Sequence, residues 1–396
     1  MSTVGFFEER STASRVKHML LLRYLPVFAM KTSVGMTARR AYYLDGYAGP
    51  GMYDDASPGS PLIAADVAAF LGRTSSQVRS TAHCELVGIF IEEDPTSAAQ
   101  LRTNLAAAGR GDWDVMQGQS VDRLSDAIQL ARGAPLLVFL DPYGLGIPFD
   151  MLVEDILRRA ERDTTEVLLN FSRSALSRLG GFLDPDWDTI DRSDEQLQRL
   201  YQQRDLLLAR LDAFLGGPWW RGVKRHHPTD WRDAVRDRFV GLINDRTDGG
   251  WRSYRAAVPQ RWQGPPVYDL VLLSRHAHGP WKLNEATART FRDLYEAAWT
   301  QAGTLFAAQT DAIPDPRPVY VAAIERNVLA ELRANQSFGV ADRLDRVLSD
   351  EIRGLAGPSE VLRALQGLHR TGRIGGDPPK SKALEDYIVT RGPRFG

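Results

Sequence analysis

The feature that most constrains the fold of this chain is a short apolar run that ends in an acid and leads directly into a glycine-rich turn. It spans Tyr42 to Gly51 and has the sequence YYLDGYAGPG. Glycine lets the backbone approach a ligand closely, and the acid, Asp45, can hold a polar or cationic group. The pattern predicts a first strand that delivers its loop to a nucleotide-like cofactor.

Strand-like and helix-like patterns alternate from residue 40 to residue 172. The predicted strands cover residues 41–45, 85–91, 113–116, 136–140 and 166–171. The helical patterns between them cover residues 62–71, 96–108, 124–131 and 149–160. Strands that alternate with helices form a mostly parallel sheet covered on both faces, so the sequence predicts a Rossmann-like α/β fold.

Acids stand at the ends of three of these strands. Asp45 ends the first strand, Glu92 the second and Asp141 the fourth. Ligands of open α/β sheets bind at the carboxyl ends of the strands, where these three side chains are expected to meet. A carboxylate after the second strand suits the two hydroxyls of a ribose, and an acid after the fourth lies where the reacting group arrives. Asp45 taken alone could equally be a capping residue.

This arrangement resembles class I S-adenosylmethionine-dependent methyltransferases. Residues 45–51 match the D-x-x-x-G-x-G loop of that family, and the resemblance implies S-adenosylmethionine as the cofactor. It implies that the residues which hold this cofactor are Asp45, Gly46, Ala48, Gly49, Gly51 and Glu92. Many members have Gly-Asp for the adenine amino group where this chain has Gly118-Gln119, so Gln119 or Asp122 is expected to serve instead.

The triplet Asp141-Pro142-Tyr143 is similar to the D/N-P-P-Y/F motif of amino-methyltransferases, although the second proline is missing. The resemblance implies a catalytic role for all three residues. Asp141 and the Pro142 carbonyl would accept hydrogen bonds from the methyl acceptor, and Tyr143 would stack on a planar acceptor. The missing proline leaves open whether the acceptor is an exocyclic amine.

Further anchors narrow the resemblance to the three-Cys-motif partner proteins. They follow in order from residue 17 to about residue 285 and include Lys17-His18, Gly59-Ser60-Pro61 and Leu168 to Phe171. This resemblance implies a Rossmann-like methyltransferase domain and a protein partner that resembles radical S-adenosylmethionine enzymes. It also suggests a site role for Lys17 and Asn170, which otherwise fit a surface charge and a loop-fixing amide.

The chain divides by pattern into three parts. The sequence predicts a helical segment over residues 1–40, a sheet domain over residues 41–312 and a C-terminal helical module over residues 319–396. A helical insertion is expected over about residues 175–262, and the proline-rich run at residues 314–318 is the expected linker. Within the C-terminal module, residues 358–374 resemble the last helix and the first wing strand of a winged helix.

Composition limits the partners and the compartment. The chain has 396 residues and a formal net charge of -1, so no global basic field draws it onto nucleic acid or a membrane. Its single cysteine, Cys84, excludes an internal disulfide and a cysteine-based metal site, and the histidines show no ligand spacing. No segment is long and apolar enough to span a bilayer. We therefore expect a cytoplasmic protein with no metal and no membrane partner.

A stretch rich in tryptophan and arginine leaves two interpretations open. Tryptophans at positions 219, 220, 231, 251 and 262 alternate with arginines. Such interleaving either lines a nucleic-acid groove or reflects helices packed onto a sheet, and packing is the preferred interpretation.

The function expected from these features is methyl transfer from S-adenosylmethionine to a nucleic acid base. The Asp-Pro-aromatic motif and the winged-helix pattern agree on that acceptor. Two alternatives remain at this point. The first is a non-catalytic scaffold that docks a three-Cys-motif enzyme or a nucleic acid, and the second is methylation of a small molecule or peptide.

Overall fold

The computed structural model describes residues 12–34, 36, 39–77, 84–161, 163–184, 194–227, 229, 231–260, 264–305 and 315–395. These residues fall into two compact units. The first contains Leu25–Pro259 and Pro265–Arg275, and the second contains Ser11–Tyr24, Gln260–Gly264 and His276–Gly396. The first helix, α1 (Thr12–Thr32), therefore has residues in both units.

A seven-stranded sheet is the centre of the first unit. Its strands are β1 (Arg40–Asp45), β2 (Glu85–Glu92), β3 (Asp114–Gln117), β4 (Leu136–Leu140), β5 (Thr165–Ser172), β6 (Arg252–Pro259) and β7 (Pro266–Ser274). Their order across the sheet is β3-β2-β1-β4-β5-β7-β6. The strands β1 to β5 pair in parallel, whereas β7 runs antiparallel to both β5 and β6. The predicted α/β class, a mostly parallel Rossmann-like sheet, is confirmed.

Helices connect the strands of this sheet. In the first unit they are α2 (Ser60–Gln77), α3 (Pro95–Ala107), α4 (Ser120–Leu130), α5 (Phe149–Met151), α6 (Arg173–Gly180), α7 (Asp194–Leu215), α8 (Trp220–His226) and α9 (Trp231–Arg246). The single helix predicted over residues 149–160 is instead a succession. After α5 come a π-helix over Leu152–Ile156 and a 3₁₀-helix over Leu157–Glu161.

The central strands are buried on both faces, which explains their continuous apolar sequence. All five residues of β4 are buried. On one face the rings of Tyr43, Phe90 and Phe139 pack together, with Tyr43 6.2 Å from Phe90 and 6.3 Å from Phe139 between centroids. On the other face, Leu44 and Val138 belong to a core that extends to the helices after β5. Packing on both faces therefore fixes the register of the strands, and with it the positions of the residues at their ends.

The edge strand β6 was not expected from the sequence. Residues 175–262 were expected to form a helical insertion, but the strand β6 lies within that range. Its side chains alternate between buried and partly exposed positions, with Tyr254, Ala256 and Val258 facing inward. Two arginines and a proline in this strand obscured a period of two that is typical of a half-buried strand.

The tryptophans of this region pack inside the first unit. Trp220, Trp231 and Trp251 are buried, and the rings of Trp220 and Trp231 lie 6.3 Å apart. Packing, the preferred interpretation of the tryptophan and arginine pattern, is confirmed for these three residues. Trp262 lies outside the described residues.

The second unit is mainly helical. It contains α10 (His278–Leu305), α11 (Arg317–Ala334), α12 (Leu344–Val347), α13 (Pro358–Arg370) and a 3₁₀-helix over Leu384–Asp386. Two short strands, β8 (Ser337–Gly339) and β9 (Ile388–Thr390), pair antiparallel, and an isolated bridge joins Ile374 to Arg391. Within the described residues, no helix of either unit is long and apolar enough to cross a membrane.

The helix α10 departs from the predicted domain boundary, which assigned residues up to 312 to the sheet domain. In the structure it groups with the C-terminal residues because its side chains bond to them. The amide of Asn284 donates to the Ala356 carbonyl at 2.9 Å and accepts from the Gly354 N–H at 3.0 Å. Pro314, the first residue of the expected linker, lies outside the described residues.

Candidate functional site

The carboxylate of Asp45 is fully buried at the end of β1. One oxygen accepts a hydrogen bond from the Tyr47 N–H at 3.0 Å, and the other accepts from the Tyr43 hydroxyl at 3.2 Å. Burial raises the pKa of Asp45 to about 6, and hydrogen bonds from Ser60 and Tyr47 act in the opposite direction. The side chain thus fixes the start of the glycine loop from inside the protein.

The glycine loop, residues 46–51, is bonded to both neighbours of β1. The Gly46 N–H donates to the Phe139 carbonyl of β4, and the Ala48 N–H donates to the Ile91 carbonyl of β2, each at 3.0 Å. Gly51 has a φ of +80°, and a Cβ there would stand 2.8 Å from Leu101 Cδ1. This position requires glycine both for its backbone conformation and for the space beside it.

Glu92 connects the glycine loop to the end of β2. Its Oε2 accepts a hydrogen bond from the Gly49 N–H at 2.7 Å, and its Oε1 accepts from the Asp94 N–H at 2.9 Å. A carboxylate offers about four acceptor positions, so these two bonds leave capacity for further donors. The acid predicted to hold a ribose is therefore oriented by backbone groups and still able to bind hydroxyls.

The residues predicted to meet an adenine ring lie at the start of α4. Gln119 precedes that helix, and its Nε2 donates to Glu93 Oε1 at 2.7 Å. Gly118, with a φ of +142°, donates its N–H to the Glu92 carbonyl at 2.9 Å. Asp122 is exposed in the first turn of α4. Gln119 thus lies beside the end of β2, whereas Asp122 points to solvent.

Asp141 follows β4 and is held by an amide from the neighbouring strand. The Nδ2 of Asn170, in β5, donates to Asp141 Oδ1 at 2.7 Å. The Oδ1 of Asn170 is buried and has no hydrogen-bond partner among the described residues. The negative charge of Asp141 raises the pKa of Asp45 and of Tyr268, although burial is the larger cause for both. Asp141 therefore lies near both groups on one face of the sheet.

Tyr143 projects fully into solvent from a tight turn after Asp141. The turn is closed by a hydrogen bond of 2.9 Å from the Gly144 N–H to the Pro142 carbonyl, and Gly144 has a φ of +122°. Pro142 itself is buried. The carbonyl predicted to face the methyl acceptor thus already accepts one hydrogen bond within the turn, while the ring of Tyr143 is open to a ligand.

A cavity of about 630 Å³ joins several of these groups at the carboxyl edge of the sheet. This is within the usual range for a small-molecule site. Its lining residues are Gly46, Tyr47, Gly49, Ile91, Glu92, Glu93, Gln119, Ser120, Val121, Asp141, Tyr143, Leu145, Gly146 and Arg210. An adjoining hollow of about 390 Å³ shares Gln119, Val121, Leu145, Gly146 and Arg210 with it.

The cavity brings six of the predicted site residues together. They are Gly46, Gly49, Glu92, Gln119, Asp141 and Tyr143. Six others in the same unit do not line it, namely Asp45, Ala48, Gly51, Asp122, Pro142 and Asn170. Asp45 and Asn170 nevertheless bond to lining residues, Asp45 to the Tyr47 N–H and Asn170 to the Asp141 carboxylate. Lys17 belongs to the second unit, and its site role stays a prediction.

Several lining residues were not predicted from the sequence. Glu93, which directly follows the acid at the end of β2, lines the cavity and accepts a hydrogen bond from Gln119. Arg210 comes from α7, in a segment so rich in arginine that no single one stood out. The Ser120 hydroxyl donates to the Gly46 carbonyl. Its position directly after the Gly118-Gln119 pair is the one signal that could have identified it.

The charged groups of the cavity give it an acidic character. Three carboxylates, those of Glu92, Glu93 and Asp141, face one guanidinium, that of Arg210. In the confined space of a cavity, such an excess of negative charge favours a cationic ligand. Among the described residues, no group of three or more histidine, cysteine, aspartate or glutamate side chains could hold a metal ion.

The order of the strands and the cavity at their carboxyl ends define the fold as that of Rossmann-like methyltransferases. The chain matches no protein-family model and no curated protein. The assignment of the fold therefore rests on the strand order β3-β2-β1-β4-β5-β7-β6.

The chain is similar to several methyltransferase structures at low identity. One is the O-methyltransferase from Bacillus cereus in complex with SAH, with 12% identity, a TM-score of 0.34, and coverage of 68% of this chain and 86% of that one. Another is the O-methyltransferase TomG from Streptomyces achromogenes in complex with SAM, with 17% identity, a TM-score of 0.31, and coverage of 65% and 79%. An RNA methyltransferase from Salinibacter ruber in complex with S-adenosyl-L-homocysteine shows 18% identity, a TM-score of 0.21, and coverage of 40% and 74%.

Proposed function

We propose that this protein is an S-adenosylmethionine-dependent methyltransferase that acts on a nucleic acid base. One observation carries the proposal. The hydrogen bond from the Gly49 N–H to Glu92 Oε2, 2.7 Å long, joins the glycine loop to the acid after β2 on the wall of a cavity that also contains Asp141 and Tyr143. The glycine loop, the acid proposed to hold the ribose and the motif proposed to bind the methyl acceptor thus line the same cavity.

The residues present fit the cofactor. Gly49 has a φ of +65° and open space where a Cβ would stand, so the loop backbone is accessible at this point. Glu92 would hold the ribose hydroxyls, and Gln119, with Val121 beside it, would meet the adenine ring. S-adenosylmethionine carries a net positive charge, and the acidic lining of the cavity favours such a ligand.

The chemistry of the cofactor leaves the protein with the tasks of orientation and exclusion of water. When bound, S-adenosylmethionine supplies a methyl group attached to a positively charged sulfur. The chain must hold an acceptor in line with that methyl group, because alignment of the reacting atoms contributes much of the rate acceleration. Asp141 and Tyr143, the two residues of the Asp-Pro-Tyr motif that line the cavity, would orient the acceptor.

Asp141 and Asn170 form a polar pair suited to an acceptor that carries N–H groups. Asp141 Oδ1 is already occupied by the Asn170 amide, which fixes the orientation of the carboxylate. Asn170 itself does not line the cavity, so its part is to position Asp141. The amino group of a nucleic acid base could donate to the Asp141 carboxylate while the base ring stacks on Tyr143, a contact worth roughly 1–3 kcal/mol.

Membership in the three-Cys-motif partner family and docking of a radical S-adenosylmethionine-like protein belong to the same proposal. They are supported by the order of the sequence anchors between residue 17 and about residue 285.

Two measurements on the purified full chain test the proposed function. Calorimetric titration with S-adenosylmethionine and with its homocysteine product measures cofactor binding. Transfer of a radiolabelled methyl group to separate pools of DNA, RNA and protein then identifies the acceptor. We expect binding of both ligands and label in a nucleic acid pool.

Each other result points elsewhere. Absence of binding in calorimetry overturns the assignment of the cofactor. Binding without label in any pool favours the scaffold that docks a partner, and label in the protein pool favours a peptide acceptor.

A further inference from the structure

The C-terminal unit carries an exposed basic face on α13 and the loop that follows it. Arg363, Gln366 and Arg370 recur at intervals of three and four residues on α13, and all three are exposed. The opposite side of the helix is buried, through Glu360, Val361, Ala364, Leu365 and Leu368. The polar stripe therefore faces solvent because the apolar stripe is committed to the core.

The loop after α13 adds two lysines and is attached to the helix. Gln366 Nε2 donates to the Pro379 carbonyl at 3.3 Å, and His369 Nε2 lies 3.0 Å from the Gly376 carbonyl. Lys380 and Lys382, farther along the same loop, are exposed. These bonds hold the helix and the loop next to each other. We call Arg363, Gln366, Arg370, Lys380 and Lys382 the helix-and-wing face.

Short strands complete the arrangement. The loop begins at Ile374, which bridges to Arg391, and it returns through β9, which pairs with β8. The Gly375 N–H donates to the Thr390 carbonyl at 3.0 Å, so the two ends of the loop form a hairpin. Along the chain the order is α11, β8, α12, α13, hairpin, which is the succession of elements in a winged helix.

Pairing of the local acids leaves this region positive. Residues 358–395 contain seven lysines and arginines but four acids, although the whole chain has a net charge of -1. Three of these acids pair with α10: Glu360 with Arg292 at 3.4 Å, Glu385 with Lys282 at 3.3 Å and Asp386 with His278 at 2.7 Å. Glu360 and Glu385 are thus paired with cations of another element and Asp386 is bonded to a histidine there, while the basic side chains of the face point to solvent.

We propose that the helix-and-wing face binds double-stranded DNA, with α13 in the major groove and Lys380 and Lys382 on the phosphates. Arginine and glutamine are the side chains that read guanine and adenine edges in that groove, and the groove of B-DNA admits a helix. The deep, narrow major groove of an RNA duplex does not. This inference rests on the proposed function, which it deepens by naming duplex DNA as the macromolecule that supplies the base.

Fluorescence anisotropy of the full chain with a labelled, mixed-sequence DNA duplex tests this inference. The titration is run without cofactor at several salt concentrations between about 50 and 200 mM. We expect binding that weakens as salt rises, because each neutralised phosphate releases a counterion. In the double variant Lys380→Ala/Lys382→Ala, the slope of log affinity against log salt should become shallower by about 2.

A matched control removes the same charge elsewhere on this unit. Arg289→Ala/Arg326→Ala alters two exposed arginines on α10 and α11. We expect this control to keep the affinity within about twofold, whereas Arg363→Ala/Arg370→Ala should lower it by at least about tenfold. Melting curves of all variants without DNA verify that each is folded.

Three results would overturn the proposal. They are an equal loss in the control variant, equal or tighter binding of an RNA duplex, and DNA affinity that does not change in either face variant. Cofactor binding is measured without DNA, and DNA binding is measured without cofactor. A failure of the helix-and-wing face is therefore distinguishable from a failure of the proposed function.

Discussion

The two loops that define the candidate site are built in different ways. The loop after β1 is bonded to the strands on both sides, through Gly46 to β4 and through Ala48 and Gly49 to β2. The loop after β4 is held by β5 only at its first residue, Asp141. Beyond that residue it is closed on itself by the hydrogen bond from the Gly144 N–H to the Pro142 carbonyl, and it leaves Tyr143 fully in solvent. One loop is anchored in the sheet and the other projects from it.

This contrast separates two tasks. A cofactor that is the same in every reaction cycle favours a preformed cradle whose geometry is fixed by backbone bonds. In the proposed reaction the methyl acceptor would be recognised by the side chains that the second loop exposes, which can change without disturbing the sheet. We therefore expect changes in the first loop to alter stability and cofactor affinity, and changes in the second to alter methyl transfer.

The sharpest test of this contrast is Asp141→Ala. Methyl transfer should fall by at least about 100-fold, the lower range for loss of a group that orients or accepts a proton. The affinity for S-adenosylmethionine should change by less than about threefold, because the cradle is on the other loop. Calorimetry and single-turnover methyl transfer provide the two numbers.

The exposed Asp126 on α4 offers a control for that experiment, and Asp126→Ala should leave both quantities unchanged. An equal loss of cofactor binding and methyl transfer in Asp141→Ala would show that the two loops do not have separate tasks.

Asp45→Asn tests the buried anchor of the first loop. An acid whose pKa is raised by folding stabilises the folded state below its unfolded pKa, and that contribution is lost as pH rises through the folded pKa. For Asp45, with a folded pKa of about 6, this loss amounts to about 3 kcal/mol between about pH 4 and pH 8. The variant cannot ionise at this position and does not lose this contribution. Between about pH 4 and pH 8, the free energy of unfolding of the variant minus that of the native chain should therefore increase by about 3 kcal/mol.

Urea denaturation at several pH values measures the difference between the two chains. A difference that stays constant with pH would show that the Asp45 carboxylate is not destabilised by its burial. Cofactor affinity of the same variant then reveals whether this cost in stability serves binding.

Gly51→Ala tests whether the first loop is rigid. A side chain there must adopt a φ of +80° and meet Leu101 Cδ1 at 2.8 Å. We expect a loss of about 2 kcal/mol in the free energy of unfolding, from backbone strain and overpacking together. Gly72→Ala is the control, since Gly72 lies in α2 with open space around it and alanine favours a helix. In thermal denaturation, the Tm of Gly51→Ala should lie below that of the native chain. The Tm of Gly72→Ala should be equal to that of the native chain or higher.

The smallest effect is expected from Glu92→Gln. The amide keeps one acceptor oxygen but places an NH₂ group where a backbone N–H now donates, so cofactor affinity should fall by about tenfold. Glu93→Gln, the neighbouring cavity residue, should weaken it by less than about threefold, since Glu93 bonds Gln119 rather than the glycine loop. Equal losses would argue that cavity charge, and not the oriented Glu92 carboxylate, determines affinity.

Local pattern predicted the strands of this fold well because the period and apolar content of a buried strand are set within the strand itself. The boundaries of β4 are those expected from its sequence, and Glu92 and Asp141 lie at the strand ends as expected. The edge strand β6 escaped because arginines at Arg252 and Arg255 broke its apolar appearance. Sequence pattern is weakest where only one side of an element is buried.

The sequence predicted the loops and strand ends that form the site, but not all the side chains that line it. A glycine in a turn and an acid at the end of an apolar strand are both local features, so Gly49 and Glu92 could be identified from the sequence. The burial of Asp45 and the approach of Arg210 from α7 depend on packing between segments distant in sequence, which no local pattern contains. Asn170 was singled out as an amide at the end of a strand, but its bond to Asp141 requires the register of β4 and β5.

The position of β7 between β5 and β6 has a consequence for how the protein is made. A chain leaves the ribosome from its amino end, so the strand that covers the outer side of β5 emerges only with residues 266–274. Until then, some 90 residues after β5 is synthesised, an apolar strand has an unpaired edge open to self-association. Expression at low temperature or with a chaperone that shields such edges should therefore raise the soluble yield.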